Sequence, residues 1–279
     1  MRLDAHQHFW ALANPFTQWP TPDLAAIYRD YQPPDLRGLL QESRIDATVL
    51  VQASPDVAES LYLLDLAARC DFVKAVVGWI DFESADALGQ LTRLSAYPVL
   101  KGLRVMVQDI PERHWLLRRE FAPIFAAMIA RGLRLDALVR RVQLPDVLAL
   151  SQRHPELAIV LDHAGKPDIA GGEFNTWARD IELLAQQDNV CCKLSGLWTE
   201  AAADHSVTRI RPYVRHLLGC FGPARLMWGS DWPVLELAGR YTDWLAQCEE
   251  ELLAQQSPAA SADILGASGC RFYGVETDG

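Results

Sequence analysis

Leu3-Asp4-Ala5-His6-Gln7-His8-Phe9-Trp10 opens the chain, and its reading as a strand decides the fold of all 279 residues. Side chains alternate between the two faces of a strand, so His6 and His8 project together while Gln7 points away. Two imidazoles then converge on one point. That pairing suits a divalent cation or a polarised carbonyl oxygen, because a neutral imidazole nitrogen is a ligand and an imidazole N–H is a donor. Chance, or a tag remnant, is the competing explanation, and the rest of the chain weighs against it.

The same kind of strand recurs. Apolar runs at 47–52, 74–79, 99–104, 133–136, 157–163, 190–196 and 225–231 are separated by helical patterns at 35–44, 57–69, 85–94, 117–130, 144–153, 175–186 and 207–219. Two more helices are expected near 240–254 and 259–266. Near-continuous apolar strands, each followed by a helix, imply parallel pairing, and eight such units close into a (β/α)8 TIM barrel of the α/β class. An open doubly wound sheet is the rival, but no Gly-rich phosphate turn follows the first strand. Residues 12–33, rich in Pro and aromatics, form a loop long enough to be a lid or pocket wall. No low-complexity linker divides residues 1–279, so one domain is expected.

In such barrels reactive groups lie at the C-terminal strand ends, and here nearly every apolar run ends on one. His6 and His8, Gln52, Arg104, Asp136, His163, Lys193 with Ser195, and Asp231 occupy those positions. Composition agrees with a soluble enzyme. The chain has 279 residues, 50% hydrophobic and 22% charged, with a net charge of -10, which disfavours nucleic acid. No apolar stretch reaches membrane-span or signal-peptide length, so a cytoplasmic protein without a membrane partner is expected. Six scattered cysteines (Cys70, Cys191, Cys192, Cys220, Cys248, Cys270) lack any Cys-x-x-Cys spacing and read as reduced thiols.

Five ordered stretches carry a resemblance: Asp4–Trp10, Lys101-Gly102-Leu103-Arg104, Leu161-Asp162-His163-Ala164-Gly165-Lys166-Pro167, Cys192-Lys193-Leu194-Ser195-Gly196 and Gly229-Ser230-Asp231-Trp232-Pro233. They are similar to landmarks of the amidohydrolase superfamily of metal-dependent hydrolases. More narrowly, they resemble its sugar-lactonase branch, which includes L-fuconolactonase, L-rhamnonolactonase and 2-pyrone-4,6-dicarboxylate lactonase. The similarity runs from residue 3 to Arg271-Phe272-Tyr273-Gly274.

The resemblance implies hydrolysis of a small lactone, an ester-hydrolase activity of carbohydrate catabolism. Binuclear members of the superfamily use a strand-five histidine and a strand-four carboxylate or modified lysine, where this chain has Asp136 and Lys101. That leaves at most a mononuclear site of His6, His8 and Asp231, with His163 as a further ligand, for zinc or manganese. The pyrone-lactonase relatives imply that a metal-free mechanism is equally open. Val105 replaces a histidine frequent in the branch.

A lactonase must polarise the ester carbonyl, deprotonate a water and protonate the leaving alkoxide. Asp231 is the expected base, and His6, His8 and His163 are expected to hold the carbonyl oxygen. Arg104, Trp10, Gln52, Lys166, Lys193 and Trp232 are the expected substrate-binding residues, the tryptophans by stacking on a sugar ring. The alternative for Arg104 is a structural ion pair, and for each tryptophan core packing. Asp162 is placed to orient His163 or to bridge to a loop. His154 reads as a helix-end residue, His216 and the run Glu249-Glu250-Glu251 as solvated helix faces, and His114 and His205 as solvent-facing. A small-molecule lactone is the expected partner, and self-association is left open. A decarboxylase of the same superfamily and a non-catalytic sugar-binding barrel remain as rivals.

Overall fold

The structure is a computed structural model and describes residues 1–201 and 204–276. Eight parallel strands follow in sequence order around one sheet: β1 (Leu3–Gln7), β2 (Ala47–Val51), β3 (Val73–Gly78), β4 (Leu100–Met106), β5 (Arg134–Leu138), β6 (Ile159–Leu161), β7 (Val190–Leu194) and β8 (Leu226–Trp228). Helices cover the outside, so the strands carry apolar residues on both faces. Leu50, Val76, Leu135, Ile159 and Leu194 pack outward against the helices. Ala5, Val49, Val77, Val160 and Met227 fill the inside, where Tyr273 of the last helix, Ser268–Tyr273, joins them.

The barrel closes at its seam by few backbone bonds. His8 N donates to Trp232 O and Asp231 N donates to His6 O, both at 2.8 Å. Beside them the Asp4 carboxylate accepts from Ser230 N at 2.9 Å, His6 N at 3.1 Å and the Tyr241 hydroxyl at 3.1 Å. Burial raises the Asp4 pKa to about 6 against these hydrogen bonds. The register of β1 shifts between Asp4 and Gln7. Leu3 and Ala5 belong to the inner cluster and Gln7 reaches outward to Thr48, yet His6 also faces in, toward Lys193. Such an irregularity re-aims a side chain, and here it puts His6 and His8 on the inner face.

Several expected boundaries are corrected. β6 and β8 stop at Leu161 and Trp228, short of His163 and Asp231, because His163 and Asp231 take left-handed backbone angles (φ 52° and 60°) that no strand accommodates. The helix expected over 117–130 begins only at Ala122, after two 3-10 turns; Pro123 lacks an amide hydrogen and fits only the first turn. Glu251 is buried and paired with Arg211 at 2.6 Å rather than solvated. His216 donates from Nε2 to Ala178 O at 2.9 Å and packs on Trp177 instead of facing water. The six cysteines are unpaired thiols. No helix among the described residues is long and apolar enough to cross a membrane.

Candidate active site

A cavity of about 650 Å³ opens at the C-terminal mouth of the barrel, with His8, Arg104, His163, Lys166 and Asp231 in its wall. The residues before it are positioned by backbone that only certain side chains permit. After β6 the chain turns through positive φ at His163, Ala164, Gly165 and Lys166, a costly conformation that turns the imidazole back over the mouth. Gly196 must be glycine, since a Cβ there would lie 2.6 Å from His163 Cγ. Gly229 leaves room for His6 in the same way, its virtual Cβ falling 2.8 Å from His6 Cβ.

Four side chains converge. Asp231 Oδ1 lies 3.6 Å from His6 Nε2, 3.4 Å from His8 Nε2 and 3.8 Å from His163 Nε2. The outer nitrogens are held from behind: His8 Nδ1 donates to Val51 O at 2.7 Å, and His163 Nδ1 meets Ser195 Oγ at 2.9 Å. Burial lowers the pKa of all three imidazoles, that of His163 to about 4. Burial pushes the Asp231 carboxyl up, but His163, His8 and His6 outweigh it and hold the group below the usual carboxylate range. At neutral pH the cluster is therefore one carboxylate among three uncharged rings.

This donor set fits a divalent cation. Asp231 Oδ1 is buried and has no hydrogen-bond partner among the described residues, and an unmatched anionic oxygen in the interior is costly unless a ligand completes it. The donor atoms of His6, His163 and Asp231 lie within 4.8 Å of one another. That trio differs from the expected His6, His8 and Asp231 by the exchange of His163 for His8, although His8 Nε2 stays 3.1 Å from His6 Nε2.

Placement separates the other expected residues. Arg104 reaches the cavity wall with its Nε donating to Gln52 Oε1 at 2.6 Å and its NH2 group to Gln52 O. Gln52 is itself fully buried and serves as that anchor, outside the cavity wall. Lys166 lies in the wall 3.4 Å from Glu200. Lys193 is also outside the wall: it is sealed on β7 with its ammonium 2.6 Å from Asp136 and 3.0 Å from Asp162. Trp10 and Trp232 are buried edge-on around Tyr31, Trp10 donating to Arg29 O and Trp232 to Glu236, so neither lines the cavity. Trp19, Trp79 and Trp115 form the aromatic wall instead. Asp162 points away from His163, toward His6 and Lys193.

Tyr273 and Glu59 carried no clear functional signal in the sequence, and Asp136, a strand-end polar residue there, is engaged by Lys193 and Tyr273 instead of facing the cavity. Glu59, buried at the start of the helix Val57–Ala67, accepts from Ala53 N at 3.0 Å and Ser54 N at 2.9 Å and so pins the loop after β2. Burial raises its pKa to about 8. A carboxylate at a helix start was the available clue, and it does not distinguish a cap from a loop anchor.

A closed parallel barrel whose mouth holds an unpartnered carboxylate among neutral imidazoles has the equipment of a hydrolase that uses a cation or histidine donors. Residues 3–275 match the pattern of the family described as amidohydrolase, and the chain belongs to that family. It is 45% identical over 278 residues to an L-fucono-1,5-lactonase of Burkholderia ambifaria, covering 99% of this chain and 96% of that protein. An L-fucono-1,5-lactonase of Burkholderia multivorans is 34% identical, over 99% of this chain and 96% of its own length. A solved amidohydrolase from Burkholderia multivorans with bound zinc superposes with a TM-score of 0.92 at 34% identity, covering 99% of this chain and 100% of that one.

Proposed function

We propose that the protein hydrolyses a sugar aldonolactone of the L-fucono- or L-rhamnono-lactone type. The observation that carries this reading is the buried, unpartnered Asp231 Oδ1 facing three imidazoles at the barrel mouth. Ionised Asp231 takes a proton from a water aimed at the lactone carbonyl and returns it to the leaving ring alcohol. The imidazoles of His6, His8 and His163 act on the carbonyl oxygen as negative charge develops there, directly where a ring presents an N–H. A ring that presents a lone pair, as His8 Nε2 does with its proton on Nδ1, acts by holding a cation. Arg104, braced by Gln52, turns its remaining N–H groups to the ring oxygens.

Zinc or manganese held by His6, His163 and Asp231, with His8 alongside, would supply Lewis-acid polarisation of that carbonyl. The relative solved with zinc supports such a site.

The cavity wall favours an uncharged substrate. It carries five carboxylates (Asp81, Glu83, Asp109, Glu200, Asp231) and two cations (Arg104, Lys166); Glu200 faces Lys166, Glu83 faces Arg118 and Asp109 faces Arg140. A dicarboxylate such as the pyrone substrate finds no pair of free cations in the wall to match its two charges, whereas a neutral sugar lactone needs none. A decarboxylase would need a strand-five histidine for its metal, and β5 offers Asp136, engaged by Lys193 and Tyr273. Four buried and two partly buried thiols, all reduced, suit the cytoplasm.

Acid release followed with a pH indicator across aldono-1,5-lactones and pyrone dicarboxylate, with and without chelator, tests the reading. Turnover of L-fucono- or L-rhamnono-lactone above the pyrone is expected. Tight sugar-lactone binding without acid release would support the sugar-binding barrel instead, and no acid from any lactone would overturn the assignment.

A further inference from the structure

Below the mouth, Lys193 is sealed from solvent and its ammonium faces three acceptors. Asp136 Oδ2 is at 2.6 Å, Asp162 Oδ1 at 3.0 Å and His6 Nδ1 at 3.1 Å. Tyr273 reaches up from the last helix and donates to the same Asp136 oxygen at 2.7 Å. An ammonium has donors and no acceptor, so in its contact with His6 the Nδ1 atom must accept. A neutral imidazole carries one N–H, which is then on Nε2, aimed at His8 Nε2 3.1 Å away. The proton of His8 sits on Nδ1 and goes to Val51 O at 2.7 Å. From Lys193 to Val51 every donor meets one acceptor, and the chain fixes both tautomers.

In that state His6 Nε2 is a hydrogen-bond donor and has no lone pair for a cation. The same His6 Nδ1 also lies 3.4 Å from Asp162 Oδ1, and neither Asp162 oxygen has an aligned hydrogen-bond donor among the described residues. Moving the imidazole proton to Nδ1 would give Asp162 a donor and turn a bare Nε2 toward Asp231.

We propose that Lys193 and Asp162 compete for His6 Nδ1 and so select the working form of the site. The Lys193 contact holds His6 as an Nε2–H donor, and the Asp162 contact holds it as an Nδ1–H ring with Nε2 free to bind a cation. In the exchange the ring gives its Nε2 proton to water and takes one from water at Nδ1, so its charge is unchanged, while Lys193 keeps its three protons, its hydrogen bond to Asp136 and its ion pair with Asp162. Both are positioning residues that act through His6. The proposal rests on His6 belonging to the hydrolytic site described above, but its test uses no lactone, so its failure is separable from failure of the lactonase reading.

The experiment is two-bond proton–nitrogen NMR on the full chain labelled with ¹⁵N-histidine, first treated with chelator and then titrated with zinc. Metal-free protein is expected to show His6 protonated at Nε2, and zinc-loaded protein at Nδ1. The same His6 tautomer in both samples, or Nδ1 protonated without metal, overturns the proposal. Asp162→Asn is expected to weaken zinc retention, measured by elemental analysis after dialysis and by competition titration, by about 10–100-fold. Lys193→Gln is expected to strengthen it. If Lys193→Gln does not fold, the wild-type spectra and Asp162→Asn decide, and unchanged zinc affinity in Asp162→Asn counts against the competition.

Discussion

The inside of this barrel holds two groups of buried polar side chains a few ångströms apart, and they are finished to different degrees. In the lower group, Lys193, Asp136, Asp162 and Tyr273 share an ammonium, two carboxylates and a phenol. Asp136 Oδ1 and both Asp162 oxygens lack an aligned hydrogen bond among the described residues, but the Lys193 ammonium stands as counter-charge 2.6 and 3.0 Å from the two carboxylates. In the upper group, Asp231 Oδ1 stands among His6, His8 and His163 with no hydrogen bond of its own. Breaking a buried pair costs about 3–5 kcal/mol, so the lower carboxylates are kept against their cation. The upper group leaves a carboxylate among imidazoles with no cation of its own, which is tolerable only because water, a cation or substrate completes it. Neither buried charge nor an unmet bond by itself therefore marks a reactive centre; a carboxylate that faces the cavity without a counter-charge does.

Asp231→Asn tests that distinction most severely. It should lower kcat by about 10²–10⁴ while leaving the melting temperature near or above that of the parent, since a buried carboxylate becomes a neutral amide. A rate within a few-fold of the parent would place the chemistry elsewhere. The tryptophans extend the contrast to the surroundings of the site. Trp10→Ala, within the buried aromatic layer, should cost about 3–5 kcal/mol in denaturant unfolding with little change in KM. Trp19→Ala, in the cavity wall, should raise KM and leave the unfolding midpoint close to that of the parent; the reverse pattern would mean the two layers have been exchanged.

Gly229→Ala probes how closely the upper group is fitted. The new methyl meets His6 Cβ, so a loss of about 1–3 kcal/mol is expected, together with a fall in kcat of up to about 10²-fold if the ring moves by an ångström. Stability lost without a change in kcat would show that His6 has slack.

Glu59 gives the smallest effect. Its carboxyl titrates near 4.5 in the unfolded chain and is raised to about 8 by burial in the fold. Between those values the native state holds the proton that the unfolded state has released, so the stabilising contribution present below pH 4.5 is lost as pH rises to about 8. Glu59→Gln should flatten that part of the stability–pH curve, by a few kcal/mol at most, as read by urea unfolding at pH 5 and pH 8. A slope equal to that of the parent would mean that the buried carboxyl is not proton-linked.

The barrel was legible because its signal repeats. Eight apolar runs, each followed by a helical pattern, leave little freedom of topology, and the helix at Leu144–Arg153 falls where the pattern puts it. His6, His8, His163 and Asp231 were legible because each ends a run. Trp10 and Trp232 show how neighbourhood misleads. Trp232 follows Asp231, whose left-handed backbone turns the chain, and Trp10 lies two residues past His8, where alternation alone would put it on the same side, yet both pack into the aromatic layer around Tyr31. Trp19 and Trp115 carry no periodic mark that separates a cavity wall from a core. Lys193 looked like a strand-end ligand for substrate and Asp162 like a residue that orients His163 or bridges to a loop, and nothing local says that each faces the other between neighbouring strands.

The sequence alone determined the order of strands and the identity of the four convergent side chains, since these come from local periodicity and from where each polar residue interrupts it. Tertiary structure decided which polar groups are matched and which are left open. That balance depends on distances between residues as far apart as His6 and Asp231, set by the irregularity in β1 and the left-handed turns after β6 and β8. Local sequence fixes side-chain direction only relative to its own strand, and the meeting of strands is a property of the closed barrel.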